Sequence, residues 1–400
     1  MKGEVMWPRL VASKVIKRLG STNFVADFSS DNSEYIVEIP PHFDKRSLCS
    51  DDIIFHHDLE ETQNFRVFVN TWNVGGVVPT DDFKVDDLLD TCHTSSCDIY
   101  VFGFQEVVPL RATNVLGSES GRISAKWNCL IREALNKKAK ENNNGKLFPQ
   151  EFNCIISKQM VGILISVWVR NDLSSFIKNP SVSCVGCGIM GCLGNKGAVS
   201  VRFQLHQTSL CFVCSHLASG GREGDEKNRN SNVGEIFTRT IFPKGPSLEL
   251  PTKILDHDRV IFLGDLNYRI SLPELTTRLL VEKGEWNALL EKDQLRMELM
   301  DGQVFEGWQE GIINFAPTYK YYPNSSEYYG RSEKRGEKKR SPAWCDRIIW
   351  YGEGLKQLLY DRGESKLSDH RPVKAIFSTQ IRVSRKLKKL GTFFLSERFM

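Results

Sequence analysis

The sequence predicts an α/β sandwich, with sheets inside and helices outside, and three observations support this. Apolar, β-branched runs such as FRVFVNTWN, DIYVFGFQEV, LCFVCSHLA and RVIFLGDLN recur along the chain, and runs of that composition are strands that bury their sides. Stretches with helical character separate them, at 125–140, 226–239, 273–282 and 286–299; such an alternation argues for sheets covered by helices. With 400 residues and 40% hydrophobic content the chain can bury one large core, and its motifs spread from residue 71 to residue 370, so one catalytic domain is expected rather than two.

In chain order, Met6 to Leu19 places Trp7, Leu10, Val11, Val15 and Leu19 at helical spacing with Arg9, Lys14, Lys17 and Arg18 between them. This is either a basic amphipathic helix for an anionic membrane surface or a helix that caps the domain. Residues 20–60 are polar and irregular, with Pro40-Pro41, and read as a linker or loosely packed arm. The catalytic domain is expected over 61–380. Inside it, MVGILISVWV at 160–169 is shorter than the roughly 18 residues of a membrane span and reads as a buried strand. Residues 325–340 make a charged, glycine-containing loop. The segment 381–400 is a basic, aromatic tail with Arg382, Arg385, Lys386, Lys388, Lys389, Phe393, Phe394 and Phe399, suited to anionic lipid or to folding back on the core.

A net charge of +4 is mild for this length, so no nucleic-acid partner is expected. Eleven cysteines, an odd number, without a signal-peptide pattern suggest reduced thiols in the cytoplasm. Peripheral membrane contact through the terminal segments is the second part of that expectation. Oligomeric state is not legible.

Several patterns are decoys. Gly186 to Gly191 fits GxGxxG, but that motif must open a helix, whereas the sequel AVSVRFQL alternates as a strand. Cys184, Cys187 and Cys192 have metal-like spacing but no second Cys or His pair at the right distance. No cysteine begins a CxxxxxR loop, and GxSxG and HExxH are absent. Cysteine or serine nucleophiles and a zinc-protease site are therefore disfavoured.

What remains is a rim of polar strand ends: TWNVGG from Thr71, GFQEV from Gly103, SHLASG from Ser215, GDLNYR from Gly264, PAWCDRIIW from Pro342 and SDHRP from Ser368. The rim offers carboxylates, amides and two histidines without a thiolate cluster, a hard donor set suited to Mg²⁺. Glu106 is the best metal-ligand candidate, with Asn73 as helper. A phosphate ester repels an attacking water until cations neutralise it and a base orients the water. Asp265 is expected to align and deprotonate that water. Asn267, two residues on, would hold a phosphoryl oxygen. His370 would donate to the same phosphate with its ring fixed by Asp346, and His216 would be the second donor. Asp369 is left with two roles, in the metal shell or holding the loop.

Taken together, TWNVGG, GFQEVVPL, GNKGAVSVR, SHLASG, GDLNYR, PAWCDRIIW and SDHRPV resemble the inositol polyphosphate 5-phosphatases, within the Mg²⁺-dependent superfamily that includes deoxyribonuclease I. EVVPLRATNVLG and LDHDRVIFLGDLNYRI look like the plant members. The resemblance covers roughly residues 65–378 in the family order. It implies a four-layer sandwich, two packed and mostly antiparallel β-sheets flanked by helices, and Mg²⁺-dependent hydrolysis of the 5-phosphate from inositol phosphates or phosphoinositides. It also implies the roles given above. By the same resemblance Tyr319, Lys320, Lys338 and Arg340 match positions that hold the 4-phosphate, and Asn195 and Lys196 line the same cleft. A cysteine just before Leu193-Gly194-Asn195 departs from the family pattern and touches none of the catalytic candidates. The competing readings are a nuclease or sphingomyelinase-like phosphodiesterase on the same scaffold, and a non-catalytic phosphoinositide-binding protein.

Overall fold

Strand β1 (Glu60–Asn73) is apolar on both faces, which places it in a sheet covered on both sides. Phe65, Val67 and Val69 point one way and Phe68 and Trp72 the other, all of them buried. The remaining strands are β2 (Ile99–Gln105), β3 (Phe152–Met160), β4 (Ile163–Arg170), β5 (Ile177–Gly186), β6 (Gly197–Leu205), β7 (Thr208–His216), β8 (Arg259–Asp265), β9 (Gln309–Glu310), β10 (Asp346–Tyr351), β11 (Leu355–Arg362) and β12 (Val373–Ser384). The structure is a computed structural model. It describes residues 23–27, 60–80, 83, 85, 88–89, 97–109, 121–141, 151–188, 195–244, 250–330 and 340–384.

These strands form two six-stranded sheets, ordered β11-β12-β1-β2-β4-β3 and β5-β6-β7-β8-β10-β9. All pairings are antiparallel except β1 with β2 and β7 with β8. Val67, Val101 and Ile165 from one sheet pack with Val199, Phe212 and Leu263 from the other, so the main core lies between the sheets. Helix α1 (Arg122–Glu141) covers the outer face of the first sheet, where Trp127 and Ile131 meet Phe68, Trp72 and Phe104. Helix α2 (Asp225–Arg239) covers the second, where Val233 and Ile236 join a cluster with Val213 and Phe262. The expected sandwich of two mostly antiparallel sheets with outer helices is therefore borne out.

Some local expectations are corrected. Helix α3 (Glu274–Lys283) falls where expected, but the helix expected over 286–299 is two, α4 (Trp286–Leu290) and α5 (Gln294–Asp301). The break comes at Asp293, whose carboxylate accepts a hydrogen bond from Arg296 N at 2.9 Å and so caps α5. The run 160–169 straddles a hairpin, because β3 ends at Met160 and β4 starts at Ile163. Gly197 begins a strand, as the reading of GxGxxG as a decoy required. Arg382 belongs to β12 rather than to a tail, and its Nη2 donates to Asp258 at 2.9 Å.

Part of the N-terminal arm is ordered against the domain. Val25 N donates to Ser157 O at 3.0 Å and Val25 O accepts from Ser157 N at 2.8 Å, an antiparallel bridge on the outer edge of β3. Asp27 receives two hydrogen bonds from Arg132, at 2.8 and 2.5 Å, and one from Cys154 N at 2.7 Å. The amphipathic helix expected over Met6 to Leu19 and the tail from residue 385 onward lie outside the described residues. Among the described residues no helix is long and apolar enough to cross a membrane, and the cysteines are free thiols.

The close parallel pairing of β7 and β8 depends on Gly264. Its φ is +150°, and a Cβ there would lie 2.0 Å from Ser215 O. Gly264→Ala is expected to lower stability by at least about 2–3 kcal/mol, since backbone itself must move. An unchanged thermal unfolding midpoint would show that the strands separate without strain.

Candidate active site

Sheet register brings three predicted residues side by side. His216 at the end of β7 stands opposite Asp265 at the end of β8, and Asp265 stands opposite Asp346 at the start of β10. His216 and Asp265 close apolar strands and Asp346 opens one that runs antiparallel to β8, so all three side chains are carried to the same rim while the strands behind them are buried. In the facing sheet Asn73 ends β1 beside Gln105 of β2, with Glu106 one residue beyond. His370 enters from the turn before β12. Its carbonyl accepts from Trp72 Nε1 at 3.1 Å, and Ser368 Oγ donates to Asn73 O at 2.7 Å. These two bonds tie the His370 turn to the end of β1.

Asp265 is the hub. Its Oδ2 accepts from Asn73 Nδ2 at 2.9 Å and lies 3.3 Å from His216 Nε2 and 3.9 Å from His370 Nε2; its Oδ1 accepts from Asn267 N at 3.1 Å. Burial alone would raise the Asp265 carboxyl. The hydrogen bond from His216 and the charges of His370, His216 and Lys196 outweigh it and hold the group well below the usual carboxylate range. His370 Nδ1 sits 2.8 Å from Asp346 Oδ2, which also accepts from Thr318 Oγ1 at 2.7 Å. Burial disfavours the imidazolium, but the Asp346 and Asp265 charges and the Asp346 hydrogen bond prevail, lifting His370 to about 9. For Asp346, burial prevails over the pull of His370 and raises the carboxyl. The Nε2 side of His370 is thus a proton donor aimed at the Asp265 side of the site.

Asn267 is oriented by a residue to which sequence reasoning gave no role. Arg269 donates through Nη2 to Asn267 Oδ1 at 2.6 Å and through Nε to Asn267 O at 3.1 Å. This turns the Asn267 amide so that Nδ2 donates to Leu217 O at 3.2 Å. The same guanidinium lies 4.5 Å over the Tyr319 ring, which in turn packs 4.6 Å from the His370 ring. GDLNYR contained Arg269, but its contact with Tyr319 spans fifty residues of chain and leaves no local signal.

The predicted substrate-binding residues divide. Tyr319 is in the site. Lys320 Nζ donates to Asp369 Oδ2 at 2.7 Å, so of the two roles open to Asp369 its carboxylate is engaged in holding Lys320 and the Ser368 turn. Lys196 is deeper than expected: Nζ contacts His216 Nε2, and burial lowers its pKa against the Asp265 and Glu106 charges. Asn195 is half-buried, and its Oδ1 has no hydrogen-bond partner. Arg340 is exposed, whereas Lys338 lies outside the described residues.

The sequence matches the endonuclease/exonuclease/phosphatase family 2 over residues 70–376. It is 64% identical to type IV inositol polyphosphate 5-phosphatase 9 of Arabidopsis thaliana, covering 98% of this chain and 96% of the relative. The chain belongs to the inositol polyphosphate 5-phosphatases. This 5-phosphatase is also 44% identical to type I inositol polyphosphate 5-phosphatase 8 of the same plant, over 95% of this chain and 87% of the relative. Among solved structures it is similar to the inositol polyphosphate 5-phosphatase domain of spSynaptojanin in complex with inositol (1,4)-bisphosphate and calcium ion. That similarity has a TM-score of 0.70 and 31% identity, covering 81% of this chain and 87% of the other.

The donor set of the 5-phosphatase fits a hard divalent cation. Glu106 presents a partly exposed carboxylate at the rim, with Asn73 Nδ2 at 3.4 Å from its Oε1. Glu106 has a φ of +53°, and its carbonyl accepts from Gly76 N at 2.7 Å, which fixes the backbone that presents the carboxylate. Ligand atoms of Asp265, Asp346 and His370 also lie within 4.8 Å of one another. There, however, Asp346 Oδ2 is already used by His370 and Thr318, an arrangement that orients an imidazole rather than encloses an ion.

Proposed function

We propose that this 5-phosphatase hydrolyses the 5-phosphate of inositol 1,4,5-trisphosphate, phosphatidylinositol 4,5-bisphosphate or phosphatidylinositol 3,4,5-trisphosphate, with Mg²⁺ as its cation. The observation that carries the reading is the Asp265 carboxylate held between two imidazoles, one of them backed by Asp346. Asp265 takes a proton from water as the water oxygen attacks phosphorus in line; the bond from phosphorus to the inositol oxygen breaks, and that oxygen takes a proton from a solvent water as it leaves, while Asp265 returns its own to solvent. His370 and His216 donate to the phosphoryl oxygens, and Asn267, turned by Arg269, completes the donor set. Glu106, with Asn73 beside it, would hold Mg²⁺, which neutralises phosphate charge when bound. Tyr319, Lys320, Lys338 and Arg340 would read the 4-phosphate, with Asn195 and Lys196 at the other wall. The working place is the cytoplasm, with peripheral contact to anionic membranes when the substrate is a lipid.

The test is phosphate release from soluble inositol 1,4,5-trisphosphate and from vesicles carrying phosphatidylinositol 4,5-bisphosphate, with Mg²⁺ or with a chelator. Turnover is expected with Mg²⁺ and is expected to vanish on chelation. Release that ignores the chelator, or none from either substrate, would overturn the proposal.

A further inference from the structure

Arg278 on α3 lies outside the catalytic cluster, yet it gathers the two ends of the basic loop onto one guanidinium. Its Nη2 donates to Tyr329 O at 2.7 Å and to Arg340 O at 2.9 Å. Its Nε pairs with Glu274 Oε1 at 3.0 Å, one helical turn earlier, and both side chains are largely buried at 16% and 22% exposure. Glu274 therefore fixes the plane of the guanidinium, and that plane aims one nitrogen at two carbonyls from opposite ends of the loop. Gly330 makes room for it: φ there is +84°, and a Cβ would stand 3.0 Å from Arg278 Nη2.

The contacts continue inward from Tyr329. Its backbone N donates to Lys320 O at 2.8 Å, and its ring lies 5.2 Å from Lys320 Nζ, which is held by Asp369. Tyr329 also packs against Tyr322 with ring centroids 4.9 Å apart. One side chain therefore sets the backbone at Arg340 directly and at Lys320 through Tyr329.

We propose that Arg278 is a positioning residue for substrate specificity: it places Lys320 and Arg340 where they meet a phosphate neighbouring the one removed. It touches no substrate itself. The inference rests on the 5-phosphatase reading and names a determinant that none of the sequence motifs contains. A lysine at this position keeps the charge and three donors but loses the planar fork that fixes Nε on Glu274 and Nη2 on the two carbonyls, so the arrangement is held less firmly.

The experiment compares steady-state kinetics of the parent chain, Arg278→Ala, Arg278→Lys and Gly330→Ala on inositol 1,4,5-trisphosphate and on inositol 1,5-bisphosphate, which lacks the 4-phosphate. Arg278→Ala is expected to raise KM for the trisphosphate by about tenfold, the scale of one displaced charge-assisted contact. The rise for the bisphosphate should be several-fold smaller, and kcat should change little on either. Arg278→Lys should fall between, and Gly330→Ala, which disturbs the loop from its other side, should share the pattern. Equal proportional changes on the two substrates, or no change with a retained fold, would overturn the positioning role. If Arg278→Ala does not fold, the other two variants decide. A parent chain that cleaves neither substrate would instead overturn the 5-phosphatase reading beneath it.

Discussion

Asp265→Asn is expected to lower kcat by about 10³- to 10⁴-fold, the range associated with losing a positioned base together with its charge. The substitution keeps size and position on β8, and an amide oxygen can still accept from Asn267 N as Asp265 Oδ1 does at 3.1 Å. The other end changes. Asp265 Oδ2 faces donors from Asn73 at 2.9 Å and His216 at 3.3 Å, with His370 at 3.9 Å. An amide NH₂ there meets donors with a donor, has no negative charge to hold the imidazoles, and cannot take a proton from water. KM should move little if the phosphate is held chiefly by other groups. The measurement is kcat on inositol 1,4,5-trisphosphate beside a thermal unfolding curve. A folded variant within tenfold of the parent would remove Asp265 from the water-activating role.

Arg347→Met is expected to cost about 3–5 kcal/mol of stability, the scale of leaving a buried charge unpaired. Arg347 follows Asp346 on β10, so its side chain leaves the opposite face of the sheet. It is fully buried there, with Nη1 2.9 and 3.0 Å from the Asp293 oxygens and Nε 2.6 Å from Glu310 Oε1. Tyr360 adds a hydroxyl to Glu310 at 2.9 Å. Burial opposes the charge on Arg347, and the Asp293 and Glu310 carboxylates overcome it, raising the guanidinium well above its usual range. With methionine in its place two carboxylates face each other in a dry site. Adding Asp293→Asn and Glu310→Gln to Arg347→Met should recover part of the loss, because the unpaired charge is then removed. A denaturation midpoint for Arg347→Met equal to the parent's would mean that water reaches the cluster.

These two residues mark how far the sequence could be read. The strands around the site were legible because the apolar runs end, or in β10 begin, with an acid, amide or histidine; which of these stand opposite one another, His216 with Asp265 and Asp265 with Asp346, is set by the register of β7, β8 and β10. Arg347 was not legible. Inside DRIIW it looks like an ordinary polar residue at a strand end, and its partners lie 54 and 37 residues away in sequence. Arg269 and Arg278 escaped for the same reason, since their partners belong to loops brought together only by the fold. The break at Asp293 shows the opposite limit. Helical periodicity continued across it, but the carboxylate serves both as a cap and as a counter-ion, and tertiary contacts overrode the local pattern.

The bridge at Val25 redraws the boundary of the folded unit. β3 is the last strand of its sheet, and an uncovered last strand is a template onto which any extended chain can add, including another copy of the same protein. Asn23 to Asp27 fill part of that ladder with the chain's own backbone, and Asp27 fastens the segment to Arg132 on α1. The polar strand ends of the candidate site begin at Thr71, yet the backbone that pairs with this edge of their sheet lies almost fifty positions earlier. The pairing of that edge and the polar strand ends of the candidate site are thus encoded in separate stretches of the chain.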